Sequence, residues 1–221
     1  MARVGKTPDY LEKLQTKGYE RSNGLFNLYK KWKESLDIQA FSDFLDIVWK
    51  EKDNIRSKLG ANTYNNFRGI AFEEFCFDLL KKIIEETGTA SIIELFWNEK
   101  ILTEEFYIFE GGQFNKYPKH KTVDIVVGKR EGNLIHPIVI ISCKTWQSTN
   151  WLDEDRAIFD NIRNRYPNVL GYSLCMSLQV PPVSLISGQR TGLKVFDLSK
   201  DDKEFIADIK RMLEEIKRVA R

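Results

Sequence analysis

Apolar positions recur at helical spacing through the first part of the chain. Leu25, Phe26, Leu28, Tyr29 and Trp32 form one set, and Phe41, Phe44, Leu45, Ile47, Val48 and Trp49 a second. Such recurrence predicts amphipathic helices up to about residue 59, with Ser42 and Asp43 offering polar groups near the second start and Gly60 as a stop. A further helix is predicted over about 64–87, closed by Gly88. The character then changes. Residues 91–96, 106–109, 122–127, 137–145, 169–178 and 193–196 are short, rich in β-branched or aromatic residues and bounded by Gly, Asn or Pro, which predicts strands. A helix over about 153–165 interrupts them. The last stretch, 203–221, is an amphipathic helix through Phe205, Ile206, Ile209, Met212, Leu213 and Ile216.

Helices first, then strands broken by a helix, describe an α/β (α+β) core with a mixed β-sheet flanked by helices, over residues 61–221. A helical extension over residues 1–60 precedes it. The 221 residues, 42% hydrophobic and 12% aromatic, suffice to bury a core. No apolar run approaches the roughly 18 to 20 residues that span a bilayer, and the first residues lack the apolar stretch of a signal peptide. The expectation is a cytoplasmic protein with no membrane association. Cys76, Cys143 and Cys175 are odd in number, widely spaced and set among apolar residues, which predicts buried free thiols rather than a disulfide or zinc framework. A formal charge of +2 does not by itself mark a nucleic-acid binder. Locally, Lys116, Lys119, His120, Lys121, Lys129 and Arg130 surround a single acid, Asp124. A solvated face explains such a cluster unless that acid has work of its own.

In the strand around Asp124, Val123, Ile125 and Val127 share one face, and Asp124 lies on the other with Thr122 and Val126. The next strand places Val139, Ile141 and Cys143 on one face, and Ile138, Ile140, Ser142, Lys144 and Trp146 on the other. Lys144 is its only charged residue, and a half-buried lysine needs a negative partner. If the two strands are neighbours, Asp124 and Lys144 converge at the sheet's end. On these two residues alone, a buried salt bridge serves as well as a catalytic pair. On a helical wheel Ile70, Phe77, Leu80 and Ile84 fall within about 60° of Glu73, which places this acid in the apolar stripe. Glu74 falls beside Asp78, Lys81 and Glu85, on the side expected to face water. Two carboxylates and a lysine form a minimal kit for phosphodiester hydrolysis: the acids hold Mg²⁺, and the lysine orients or deprotonates a water.

Arg68-Gly69-Ile70-Ala71-Phe72-Glu73, Val123-Asp124-Ile125 and Ile140-Ile141-Ser142-Cys143-Lys144 together resemble the three motifs of the PD-(D/E)xK nuclease superfamily, in order and on matching elements. The resemblance covers about residues 64–178. It implies a restriction-endonuclease-like core, catalytic roles for Asp124, Lys144 and Glu73, and Mg²⁺ held by Asp124, Glu73 and the backbone carbonyl of Cys143. Val123 stands where proline is usual. Ser142 stands where the motif carries an acid, and serine does not replace a carboxylate as a metal ligand on equal terms. The Ser-x-Lys form is similar to that of type II restriction endonucleases cutting CCGG- or CCNGG-type sites, where the following helix supplies the acid. Glu154 or Asp155 would fill that role, since Asp160 points away from the apolar line of its helix. Both also suit the N-terminus of a helix for purely electrostatic reasons.

The segment after Lys144 carries Gln147, Ser148, Thr149 and Asn150, whose amides and hydroxyls can read base edges. Arg156 and Arg163 on the next helix, with Lys119 and Lys121 before Asp124, are candidates for DNA contact. His120 has a basic setting suited to phosphate, and His136 precedes a strand as a structural residue. Neither has a spacing that suggests zinc or a catalytic triad. The expectation is a Mg²⁺-dependent type II restriction endonuclease acting on double-stranded DNA as a homodimer. A structure-selective or repair nuclease, and a catalytically decayed DNA-binding module of the same fold, remain as alternatives.

Overall fold

A computed structural model describes residues 6–219, the side chains of 187–190 excepted. Four helices come first: α1 (Thr7–Thr16), α2 (Ser22–Ser35), α3 (Ile38–Lys50) and α4 (Lys52–Leu59). The long α5 (Ala61–Glu86) follows, ending at Thr87 and Gly88, whose φ of +66° suits a glycine just past a helix end. Strands β1 (Glu94–Glu110), β2 (Gln113–Glu131) and β3 (Leu134–Lys144) lead through the short β4 (Gln147–Ser148) to α6 (Thr149–Arg165). The remainder is β5 (Leu170–Cys175), β6 (Leu178–Gln179), α7 (Pro182–Arg190), β7 (Leu193–Asp197) and α8 (Leu198–Val219).

Five strands form a mixed sheet in the order β1-β2-β3-β5-β7, with β4 and β6 as a separate pair. β1, β2 and β3 run antiparallel, whereas β3, β5 and β7 are parallel. The sheet divides two apolar clusters. On one side Ile125, Val139, Ile141 and Cys143 pack with α5, α8 and the N-terminal helices; on the other Val126 and Ile140 pack with Leu152, Phe159 and Ile162 of α6. The protein is therefore a mixed α/β fold flanked by helices, as the patterning predicts. The expected boundary near residue 60 falls between α4 and α5. Trp32, Phe41 and Phe44 from the extension pack among Phe67, Phe72 and Phe75 of α5, so both sides of that boundary share one apolar cluster.

Several predicted bounds need correction. The strands expected at 91–96, 106–109 and 122–127 belong to one long hairpin, paired from Glu94↔Gly128 to Glu110↔Gln113. Its outer part exposes both faces, including Phe106, Tyr107, Phe109 and Phe114, and without a buried face the apolar period fades. Salt bridges cross this arm from Lys116 to Glu105 and from Lys119 to Glu104. Much of the apparent basic cluster is thereby neutralised by β1, as it is again where Arg130 meets Glu99. The strand expected at 169–178 is split into β5 and β6. Helix α6 begins at Thr149, so Thr149, Asn150 and Trp151 are its first turn rather than a loop. Helix α8 starts earlier than expected, at Leu198, and residues 220 and 221 lie outside the described residues. All three cysteines are free and buried. Among the described residues no helix is long and apolar enough to cross a membrane.

Candidate active site

The site lies where β2 and β3 part. Their ladder pairs Val126 with Ile140 and Ile125 with Ile141, then ends. One residue further on, Asp124 Oδ2 accepts the backbone N–H of Cys143 at 2.8 Å. A carboxylate thus occupies the next rung and satisfies a donor that β2's backbone has left. β3 continues beside β5 as far as the Lys144↔Cys175 pair. This holds Lys144 in place, with Nζ 3.7 Å from the same Asp124 oxygen. The two side chains are 25% and 15% exposed, so their attraction is stronger than in bulk water while solvent and substrate retain access.

Helix α6 forms the opposing wall. Ser142 Oγ donates to Asp155 Oδ1 at 2.7 Å, and Gln147 Nε2 and Ser173 Oγ donate to Oδ2 at 2.8 and 2.7 Å. Asp155 is 4% exposed. Burial pushes its pKa above the usual aspartate value, against the opposing pull of the Lys144 charge and the three donors. An acid therefore does stand beside Ser142, but both its oxygens are engaged. Glu154 is exposed by contrast. It lines two grooves: one with Asp124, Ser142, Lys144 and Asp155, the other with Arg68, Glu73, Lys144 and Trp151. Lys144 and Glu154 form the ridge between them.

Glu73 is buried on the α5 side, where the Trp97 indole N–H donates to Oε2 at 3.2 Å. It lines the second groove, not the one containing Asp124. Among the described residues no three His, Cys, Asp or Glu side chains group so as to hold a metal ion. Glu74, expected to face water, is 2% exposed. It accepts hydrogen bonds from Thr7 N–H at 3.1 Å, Tyr29 OH at 3.0 Å and Lys33 Nζ at 2.7 Å. The wheel separates it correctly from the Glu73 stripe, but α1 and α2 cover the face that a lone helix would expose. Burial raises the Glu74 pKa, and the bonds from Lys33 and Thr7 outweigh this to leave it below the ordinary value.

The candidates for DNA contact are placed unequally. Gln147 is fully buried, with its amide N–H groups directed to Asp155 and Ser173, so it braces the site and offers nothing to a base in this arrangement. Arg156 is tied to Asp153 at 2.8 Å and to the carbonyl of Ser184, and Arg163 donates to the carbonyl of Thr191 at 2.5 Å. Lys119 is paired with Glu104. Ser148, Thr149 and Lys121 are half-buried, and Asn150 is exposed. His120 and His136 are exposed, the latter 3.4 Å from Glu131.

Two features of the site go beyond the expectations from sequence. Asn98, between the pairs Trp97↔Ile125 and Glu99↔Val123, faces Asp124 across the ladder and lines its groove with a left-handed φ of +56°. Asparagine tolerates that conformation, yet nothing in a strand-like run announces it. Trp146 and Trp151 pack against each other with ring centroids 4.4 Å apart and planes tilted by 51°. Helical phasing from Thr149 would have shown Trp151 turning back toward the end of β3.

No family model and no curated protein matches the sequence. Among solved structures, a chain of the native BbvCI A2B2 tetramer, determined at low resolution, is similar with a TM-score of 0.38 and 16% identity. The alignment covers 80% of this chain and 76% of that chain. At that distance no residue role passes from one chain to the other.

Proposed function

We propose that this chain is a Mg²⁺-dependent type II restriction endonuclease that hydrolyses phosphodiester bonds of double-stranded DNA at a short specific sequence. One observation carries the reading. A carboxylate and an ammonium group, Asp124 and Lys144, meet at 3.7 Å where two strands part, facing a cleft of about 300 Å³. A purely structural ion pair gains nothing from a splayed sheet and an open cleft beside it.

The donors at this cleft are hard oxygens. Asp124 meets both Cys143 N–H and Lys144 Nζ through Oδ2, and Glu154 adds an exposed carboxylate. In an extended strand a residue's N–H and C=O point to the same side, so the Cys143 carbonyl is directed toward Asp124. Mg²⁺ keeps several waters and needs only one or two carboxylates besides phosphate oxygens. The set therefore suits it without a third acid, and Glu154 is the better-placed choice over Asp155. Bound there, the ion would supply Lewis acidity and neutralise phosphate charge. Lys144 orients the attacking water and stabilises the charge that grows on the phosphate oxygens. Asp124 fixes Lys144 and, through Cys143 N–H, the end of β3. Asp155 holds Ser142 and Gln147, and with them the turn into α6. Asn150 and Thr149 in the first turn of α6, and Lys121 just before Asp124, supply the nearest contacts to bases and phosphates.

One such centre cuts one strand, so duplex cleavage calls for a homodimer on a near-palindromic site. Digestion of a defined plasmid with Mg²⁺, followed by run-off sequencing of the ends, tests the reading. Discrete fragments ending at one recurring sequence support it, and cutting confined to branched or damaged DNA would make the protein a repair nuclease. The engaged oxygens of Asp155 favour a second reading, a DNA-binding module of the same fold that no longer cuts. Retarded DNA mobility without any Mg²⁺-dependent product would select that one.

A further inference from the structure

The groove on the α5 side contains a cation that the catalytic reading leaves unused. Arg68 is 8% exposed, its guanidinium lying 4.3 Å from the Trp49 ring centroid and 4.9 Å from that of Tyr64. Nη2 donates to Asn65 Oδ1 at 3.2 Å, whereas Nε and Nη1 have no hydrogen-bond partner among the described residues. A buried guanidinium with idle N–H groups is unfavourable unless something else engages them. Desolvation lowers its pKa from the usual value, but arginine remains charged.

The next residue supplies an independent observation. Gly69 lies inside the 26-residue α5, where glycine is less stable than alanine. A Cβ there would meet no atom within 4 Å, and the backbone has no positive φ to require glycine. Neither packing nor conformation explains the residue. The space it leaves open belongs to the groove lined by Arg68, Lys144, Trp146 and Trp151.

We infer that this groove binds a phosphate of the nucleic-acid strand, distinct from the phosphate being cut. The idle Nε–H and Nη1–H of Arg68, on different edges of the guanidinium, offer charge-assisted hydrogen bonds to phosphate oxygens. Gly69 lets the strand approach the helix backbone, and the paired rings of Trp146 and Trp151 receive the attached base or sugar. Lys144 and Glu154 line both grooves, so a strand leaving the cleft reaches Arg68 by crossing that ridge. Glu73 and Glu154 also line the groove, so net charge there does not draw in free anions. The idle guanidinium donors select the ligand, and inorganic phosphate alone binds only when present at high concentration. The inference rests on the nuclease reading for the source of the phosphate.

The test uses the full chain in EDTA, a short fluorescent duplex and anisotropy, with melting followed in parallel. Gly69→Ala is expected to raise Tm by about 2 to 4 °C while lowering DNA affinity about tenfold. Arg68→Met keeps the side-chain bulk, lowers affinity about as much, and flattens the salt dependence by about one ion. Duplexes with and without a 5′-phosphate separate the sources. Loss confined to the phosphorylated duplex assigns the groove to a strand end, and equal loss on both assigns it to an internal phosphate. Unchanged affinity in a more stable Gly69→Ala protein overturns the inference, even if Arg68→Met fails to fold. If the wild type binds no DNA at all, it is the nuclease reading that fails. Inorganic phosphate at about 100 mM then decides the groove: a rise in wild-type Tm over chloride at equal ionic strength, absent in Arg68→Met, upholds it, and no rise overturns it.

Discussion

Replacing Asp155 separates a brace from a reacting carboxylate. In Asp155→Ala, the donors from Ser142, Gln147 and Ser173 all lose their acceptor. The Ser173 hydroxyl still meets Gln147 Nε2 at 2.7 Å, and half-buried Ser142 can turn toward water. One or two buried donors are stranded, at about 1 to 3 kcal/mol each, so the loss is about 2 to 4 kcal/mol including a small cavity. For a chain of this size that lowers Tm by about 5 to 15 °C. Asp155→Asn is different. Its Oδ1 still accepts from Ser142. Its new Nδ2 donor faces Gln147, whose Oε1 is buried without a partner; turning that amide over brings an acceptor opposite the donor. The charge removed was already disfavoured by burial. The expected change in stability is under about 1 kcal/mol, and cutting falls by no more than about tenfold. Circular-dichroism melting, paired with the rate of plasmid nicking in Mg²⁺, measures both. An Asn variant that melts like the wild type but cuts a thousandfold more slowly refutes the brace, and makes the Asp155 carboxylate part of the chemistry.

Glu74→Gln should destabilise the fold by about 1 to 3 kcal/mol near neutral pH, because Lys33, Tyr29 and Thr7 lose a charged acceptor. The folded pKa of Glu74 lies below the ordinary 4.5, so its contribution is full above that value and lost as pH falls through the folded one. The deficit seen in denaturant titrations should therefore shrink in acid, and a deficit constant down to about pH 3 contradicts the assignment. Gly171→Ala should cost about 1 to 3 kcal/mol by overpacking, since its Cβ would lie 2.5 Å from the Phe159 ring and 3.0 Å from Leu193. Phe159→Leu should relieve part of that cost in the double variant. Strictly additive losses would show that the ring is not the obstacle.

Asp124 and Lys144 were legible because each is the lone charge in a short apolar run, 122–127 and 137–145, and alternation fixes the face on which each lies. The same alternation located β3 and the inner half of β2. It failed on the outer hairpin, where Glu104–Lys119 and Glu105–Lys116 pair across strands with neither face buried. Glu74 was misplaced because a wheel describes one helix, and burial there is imposed by α1 and α2 from far away in sequence. Gln147 has the chemistry of a base reader and the location of a brace, a difference set by Ser173, 26 residues on. Arg68 was visible only as part of a motif. Its lack of hydrogen-bond partners on two nitrogens is a property of three-dimensional packing.

The most direct measurement is the rate of supercoiled-plasmid cleavage in Mg²⁺ by the wild type, Asp124→Asn and Lys144→Met, each with its melting curve recorded to show that it is folded. Expected are metal-dependent cutting by the wild type, abolished by EDTA, and a loss of at least about a thousandfold in both variants with Tm shifted by only a few degrees. Cutting at the wild-type rate by either folded variant would contradict the assignment of this pair as the catalytic centre.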